Sequence, residues 1–449
     1  MTKNMTEGEP ARLIFFFALP LVAGNMMQQL YAFIDTLIVG RFLGVNALAA
    51  VGCTGSLMFL TLGFIMGFCT GVTIYTGQRF GAGDHAGVRQ SAAACILLGV
   101  AVALTLTAIV LPLTRTLLVL METPPEILDG AYDFISIVFA GLVIFLLLYL
   151  QNCLIRALGD SKMPTILLAV TLGINIVLEP VAILVLGWGI PGAALATVFS
   201  QGVGALLFWI YIRRRVPALH TRWSDWKPNH RAVLMAHLRM GLPMAFQSSV
   251  IAIGAIIVQV ALNNLGALPV AAYAATQKID AVAVMPMLSF GYAMAAYTAQ
   301  NYGAQKYERI RMGVHACLKM SMAFAVGIGV LLIAFGTFFL ELFVGADAAG
   351  AEEVIAYGHT YLVVTGSTYT ILALLLVYRN VLQGLGQSVI PTIAGVMELI
   401  MRAVAAIFLC SSLGFLGACM AYPLAWIGAA IPVVLAYFWT EKTLRRAAQ

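Results

Sequence analysis

Apolar runs, each about as long as a lipid bilayer is thick, fill almost the whole chain and leave it few ways to fold. A hydrocarbon core about 30 Å thick takes roughly 20 apolar residues per helix. Inside lipid every backbone N–H and C=O must find its partner within the fold, so runs of this length specify helices. Such runs recur near residues 13–40, 46–73, 88–112, 127–150, 163–187, 190–212, 236–262, 267–296, 311–339, 353–378, 389–412 and 415–438, which predicts twelve spans. With 61% apolar and 10% charged residues, against about 45–50% and about 25% in soluble domains, the chain falls outside the soluble class.

The formal charge of +6 does not collect into a basic face, because lysines and arginines stand between apolar runs. That excludes a nucleic-acid surface and leaves orientation in the membrane as their meaning. With the N-terminus inside, the loops after even-numbered helices hold Arg79, Arg89, Arg156, Lys162, Arg213, Arg214, Arg215, Lys306, Arg309, Arg311 and Arg379. The opposite loops hold only Arg41 and Arg115, the loop at 340–353 is purely acidic, and the tail adds Lys442, Arg445 and Arg446 to the first side. This bias predicts a multi-pass protein of the plasma (inner) membrane with both termini cytoplasmic. The polar first ten residues, and Pro20 in the apolar run after them, predict a retained first span rather than a signal peptide. Seven cysteines lie in or beside apolar segments without paired spacing, and read as small buried hydrophobes rather than metal ligands or disulfides.

One long polar break, Arg213–Arg231, separates six helices from six. The chain reads as an N-terminal bundle over 1–212, a cytoplasmic linker over 213–235 and a C-terminal bundle over 236–449. Repetition supports the cut: YTGQRFGAGDHAGVRQ from Tyr75 matches YTAQNYGAQKYERIRM from Tyr297, 222 positions on. ALP at 18–20 likewise matches GLP at 241–243, and RALGDSKMPTI from Arg156 matches QGLGQSVIPTI from Gln383. Six helices per repeat is an even number, so both halves enter from the same side. The predicted fold is an all-α integral membrane protein, twelve transmembrane helices in two six-helix bundles related by a pseudo-two-fold axis along the membrane normal. A cleft between the bundles is the expected substrate path.

Four carboxylates fall inside the predicted spans, Asp35, Glu179, Asp280 and Glu398, each at an insertion cost of about 2.5–3.5 kcal/mol that calls for function or a partner. Asp35 shares a polar stripe of the first helix with Gln28 and Tyr31. Glu179 follows Asn175 by four residues and directly precedes Pro180, while Thr197 and Gln201 are spaced alike on the next helix. Pro180 frees the carbonyl of Ile176 beside Glu179. Together these groups form either an oxygen-lined site for a proton or a hard cation such as sodium, with the carboxyls of Asp35 and Glu179 as its core, or an interhelical hydrogen-bond cluster. Gln277 and Asp280 share a helix face, and Asp280 either attracts a cationic substrate or bridges to Lys278 or Arg402. Glu398 and Arg402, four residues apart, read as a local structural ion pair. Met26, Met27, Tyr31, Met285, Met287, Tyr369 and Tyr378 either line an adaptable apolar cavity or pack helices. Gly63, Gly67 and Gly71 permit close backbone approach. There is no P-loop, HExxH or nucleophile elbow, so nothing points to ATP hydrolysis or covalent catalysis, and an ion gradient is left as the energy source.

The first-helix stretch ALPLVAGNMMQQLYAFIDTLIVGRFLG, the duplicated YTGQRFGAG and YTAQNYGAQ loops and GLPMAF opening the seventh helix resemble the multidrug and toxic compound extrusion transporters over essentially the whole chain. QKIDAVAVMPMLSFGYA and AGVMELIMRA resemble the MepA-like bacterial branch. The resemblance implies a cation or proton site at Asp35, Asn175, Glu179 and Thr197, with Asn152 joining them, although glutamate stands at 179 where the family commonly has aspartate. Some branches place a glutamate in the seventh helix, and 247–259 holds none. The implied function is secondary active export of small, often cationic or amphipathic molecules, that is multidrug efflux, by proton- or sodium-coupled antiport with alternating access. The chain would act as a monomer in lipid, with no enzymatic activity and no cofactor beyond the coupling ion. Gln28, Tyr31, Gln277, Asp280 and Met285 are the expected substrate contacts. The alternative is a lipid-linked saccharide flippase of the same superfamily, which commonly carries additional helices and a strongly cationic cavity.

Overall fold

A computed structural model of the chain describes residues 4–226, 231–344 and 350–448; the side chain of Tyr31, an expected substrate contact, lies outside the described residues. The described chain is helical throughout, as backbone pairing in lipid requires. Ten helices are long and apolar enough to cross a membrane, and two pairs bent by 51° and 48° each supply one more span, making twelve. In chain order the first half runs α1 Pro10–Leu43, α2 Val45–Cys53, α3 Gly55–Gly81, α4 His85–Leu120, α5 Pro125–Ala140, α6 Leu142–Ala157, α7 Lys162–Pro180 and α8 Gly189–Arg215. The second half runs α9 Arg231–Asn263, α10 Ala267–Gly303, α11 Tyr307–Val344, α12 Ala351–Gly366, α13 Tyr369–Gly384, α14 Val389–Val404, α15 Cys410–Leu413, α16 Phe415–Cys419 and α17 Ala421–Ala448. The helix predicted over 46–73 is divided into α2 and α3 at Thr54, whose hydroxyl donates to the Val51 carbonyl at 2.7 Å and competes with the helical ladder.

Local chemistry explains the shared element ends. Gly83 and Gln305 both adopt left-handed backbone, at φ 70° and 57°. After each, the chain folds back on the finished helix: Asp84 N–H donates to Arg79 at 3.1 Å and Lys306 N–H to Asn301 at 2.9 Å. The duplicated YTGQRFGAG and YTAQNYGAQ motifs are therefore helix-ending devices. Both α7 and α14 run on into a π-helical turn, Val181–Val185 and Ala405–Leu409 respectively. In the first case Pro180 directly precedes it, where the missing N–H breaks the α-helical ladder.

The described residues divide into two compact units: unit 1 holds residue 4 with those of 23–245, and unit 2 those of 5–22 with those of 246–448. The opening of α1 packs in unit 2 and the opening of α9 in unit 1, and in each case the change of unit falls within three residues after a proline, Pro20 or Pro243. Unit 1 is built around Ile65, Phe68, Val72, Ile135, Phe139, Leu142 and Phe208. Gly71 there lets α3 and α9 touch, since a Cβ would stand 2.7 Å from the Met240 carbonyl oxygen, whereas Gly63 meets nothing. Unit 2 packs around Met287, Met294, Tyr297, Tyr361, Tyr369 and Val377. Its N-terminal strap is tied in by polar bonds: Gln300 Oε1 accepts from Met5 N–H at 2.9 Å, Lys306 donates to the Thr6 carbonyl at 3.0 Å and Arg309 to the Gly8 carbonyl at 2.9 Å.

Candidate functional site

In unit 1 the structure pairs Glu179 with Asp35 and Asn175 with Thr197. Glu179 is fully buried near the end of α7, and Asp35 on α1 is the neighbouring charge that acts on it. One turn earlier, Asn175 donates through Nδ2 to Thr197 Oγ1 of α8 at 3.3 Å. Asn152 is buried on α6, which packs along α8. Asn152 Oδ1 and Asn175 Oδ1 are buried acceptors with no donor among the described residues, and the buried Glu179 carboxyl has the carboxyl of Asp35 as its hydrogen-bonding neighbour. A buried acceptor without a donor costs about 1–3 kcal/mol, and two neighbouring carboxylates repel each other in a poorly screened interior. Oxygen atoms in this condition suit a proton or a hard cation. Among the described residues, no group of three or more His, Cys, Asp or Glu side chains is placed to hold a metal ion.

Unit 2 arranges its polar groups differently from the expectation. Asp280 is buried on α10 and accepts a 2.5 Å hydrogen bond from the Tyr369 hydroxyl of α13. Neither Lys278, which is exposed, nor Arg402 forms an ion pair with it among the described residues. Gln277 donates to Tyr361 Oη at 2.8 Å, and Tyr361 stands edge-on to Tyr273, whose hydroxyl lies 2.9 Å from that of Tyr422. Met285 is half-buried, while Gln28 is exposed on α1. Met287, Tyr369 and Tyr378 are core residues, not an open apolar lining; Met26 and Met27 are exposed.

The ion pair of Glu398 and Arg402 is present, at 3.2 Å, and it has a third member. Arg379 on α13 reaches the other oxygen of Glu398. Its predicted place in a cytoplasmic loop is corrected here: it lies within a buried helix, where Glu398 supplies the charge that lets it stay. Arg402 also donates to the Ile251 carbonyl at 3.2 Å and stacks over the Tyr422 ring at 4.9 Å. Sequence reasoning missed Arg379 and Tyr422 as parts of this cluster, and Tyr369 as the partner of Asp280. The available signal for Arg379 was its place within a run of apolar residues, Ile371–Val381, interrupted by only one other strongly polar side chain, Asn380.

The MatE family model matches residues 20–181 and 243–410. A probable multidrug resistance protein of Bacillus subtilis, YoeA, is 27% identical over the whole chain and 98% of its own length. The multidrug export protein MepA of Staphylococcus haemolyticus is 21% identical over 87% of the chain and 85% of its own length. Among solved structures, a crystal structure of a MATE in complex with MaL6 superimposes with a TM-score of 0.90 at 22% identity, covering 99% of this chain and all of that one. An outward-facing multidrug resistance MATE family transporter of the MOP superfamily gives 0.88 at 22% identity, covering 99% and 98%.

Proposed function

The chain belongs to the MatE family, and from that membership we propose that it is a secondary active transporter that exports small, often cationic or amphipathic molecules by alternating access, exchanging them for protons or sodium. The observation that carries the coupling half of this reading is the buried carboxyl pair of Glu179 and Asp35, with the undonated Asn175 oxygen one turn away, in the interior of unit 1. Asp35 and Glu179 hold the ion, Asn175 and Thr197 orient the site through their mutual hydrogen bond, and Asn152 adds an oxygen. The ion neutralises charge that the apolar surroundings otherwise destabilise, so loading and unloading it gives the bundle two states of different energy.

Gln28, Tyr31, Gln277, Asp280 and Met285 meet substrate in this reading, Asp280 supplying attraction for cations and Met285 an adaptable apolar contact. The multidrug names of the relatives favour this over a saccharide flippase. The protein works as a monomer in the inner membrane with both termini cytoplasmic, on the lysine and arginine bias that remains once Arg379 is set aside.

Glu179→Gln protein in proteoliposomes tests the coupling. It should bind a lipophilic cation such as tetraphenylphosphonium normally but fail to move it uphill under an imposed proton or sodium gradient. Uphill transport at the wild-type rate removes Glu179 from the mechanism.

A further inference from the structure

The two units carry the same helices but opposite chemistry at matching positions. Helices α6 and α13 are both 16 residues long and begin 227 positions apart, at Leu142 and Tyr369. Helices α7 and α14 begin at the same displacement, at Lys162 and Val389, with Pro164 and Pro391 alike in register. Further on, Gly189 and Gly414 share left-handed backbone at φ 59° and 58°. Three residues beyond each, a glycine seats its helix on a carbonyl of the preceding π turn: Gly192 on Ala182, Gly417 on Leu409.

This register assigns each residue of the unit 1 site a counterpart. Asn152 corresponds to Arg379, Asn175 to Arg402 and Thr197 to Tyr422. Glu179 corresponds to Ala406 and Asp35 to Ile257 or Val258, so both carboxylates are replaced by apolar groups. The one new acid, Glu398, stands where unit 1 has Thr171. The contact between counterparts survives while its chemistry changes: Asn175 bonds to Thr197 in unit 1, and Arg402 stacks on Tyr422 in unit 2.

We infer that the Arg402 guanidinium is a tethered cation filling the unit 2 counterpart of the ion site, so that unit 2 binds no coupling ion and unit 1 alone sets the ion count per cycle. The cluster of Arg379, Glu398 and Arg402 holds two positive charges against one negative, and both arginine Nε–H groups lack an acceptor. A free cation entering there meets surplus positive charge and no undonated oxygen of Glu398, because each carboxylate oxygen already takes a guanidinium. In unit 1 the atoms at the two arginine positions are the amide oxygens of Asn152 and Asn175, which have no donor among the described residues, and the charge nearby is the carboxyl pair of Asp35 and Glu179. Arg402 is fixed to its helix, so the unit 2 site cannot be emptied in a transport cycle.

The inference rests on unit 1 being the ion site, and the test separates the two. Full-length protein in detergent is assayed for ²²Na⁺ retained per chain and for protons taken up on acidification, as wild type, as Asp35→Asn/Glu179→Gln, and with Glu398→Gln added to each. One ion in the wild type, lost with the unit 1 carboxylates and indifferent to Glu398→Gln, is the expected result. An ion that survives Asp35→Asn/Glu179→Gln and disappears with Glu398→Gln overturns the inference while leaving the transporter reading intact. An ion indifferent to every substitution overturns the unit 1 assignment instead. Arg379→Asn/Arg402→Asn, which places in unit 2 the two asparagines that unit 1 carries and frees the Glu398 carboxylate from both guanidinium groups, should raise the count to two. A correctly eluting double variant that still binds one ion refutes the tethered cation, and should that variant not fold, the carboxylate series decides alone.

Discussion

Replacing Asp35 by asparagine should collapse the concentration ratio the protein can sustain, and the size of the fall follows from the number of ions the structure can hold. Unit 1 offers one carboxylate pair, Asp35 with Glu179, and unit 2 offers arginines already paired to Glu398. One elementary charge crossing 100 mV carries about 2.3 kcal/mol, and each tenfold ratio takes about 1.4 kcal/mol. A neutral substrate exchanged for one cation therefore reaches a ratio of about 50 at that potential, against roughly 2,500 for two cations. The assay is a neutral apolar dye in proteoliposomes under a potassium diffusion potential of about 100 mV, without sodium or pH gradients. Wild-type protein should level off at or below about 50, while Asp35→Asn should settle near about 1 with dye binding retained. A wild-type ratio far above about 50 refutes one-ion coupling. A variant that keeps the wild-type ratio refutes the role of Asp35.

Asp280→Asn should weaken export of cationic substrates more than neutral ones, because a buried carboxylate attracts a cation strongly in a low dielectric; equal loss of both, with poor accumulation in the membrane, would make Asp280 structural. Glu398→Gln leaves Arg379 and Arg402 without their counter-charge and should cost about 3–5 kcal/mol, read as a lowered melting temperature in detergent, whereas an unchanged transition would mean the cluster is not buried as described. Gly417→Ala drives a Cβ into the Leu409 carbonyl and should destabilise by about 1–3 kcal/mol, while Gly63→Ala, with open space around it, should be near neutral. Single cysteines at exposed Trp223 and Glu352, in a background free of native cysteines, should label from opposite sides of the membrane; equal labelling from outside would overturn the orientation.

The spans, and the buried carboxylate at 179, were legible because lipid makes both rules strict. A run of apolar residues has one backbone solution, and a carboxylate inside it is too costly to be incidental. Helical spacing then brought Asn175 to Glu179 without any structure. The unit boundary was not legible. Hydropathy marks where a helix lies in lipid but not which bundle it packs against, and α1 and α9 each change partners partway along, close after Pro20 and Pro243. Arg379 failed for a related reason: a lone arginine among apolar residues reads as a loop end until Glu398, on another helix, is placed against it. The polarity of Tyr369 and Tyr422 is likewise hidden, since a tyrosine in a span is ordinary packing unless its hydroxyl is seen to meet a carboxylate or another hydroxyl.

What the repeat conserves and what it lets drift show which parts of the fold answer to geometry and which to chemistry. Gly192 and Gly417 match because a side chain at either would run into a carbonyl of the π turn, and Gly189 and Gly414 match because their positive φ disfavours any other residue. The polar positions in between carry no such constraint, since an asparagine, an arginine or a threonine can each occupy a helix face provided a partner balances it. Unit 2 balances Arg379 and Arg402 with Glu398, which cannot leave, whereas the proposed reading has unit 1 balance Asp35 and Glu179 with an ion that comes and goes. On that reading two bundles with one framework divide the labour of an antiporter, one exchanging charge with the medium and the other holding its charge constant through the cycle.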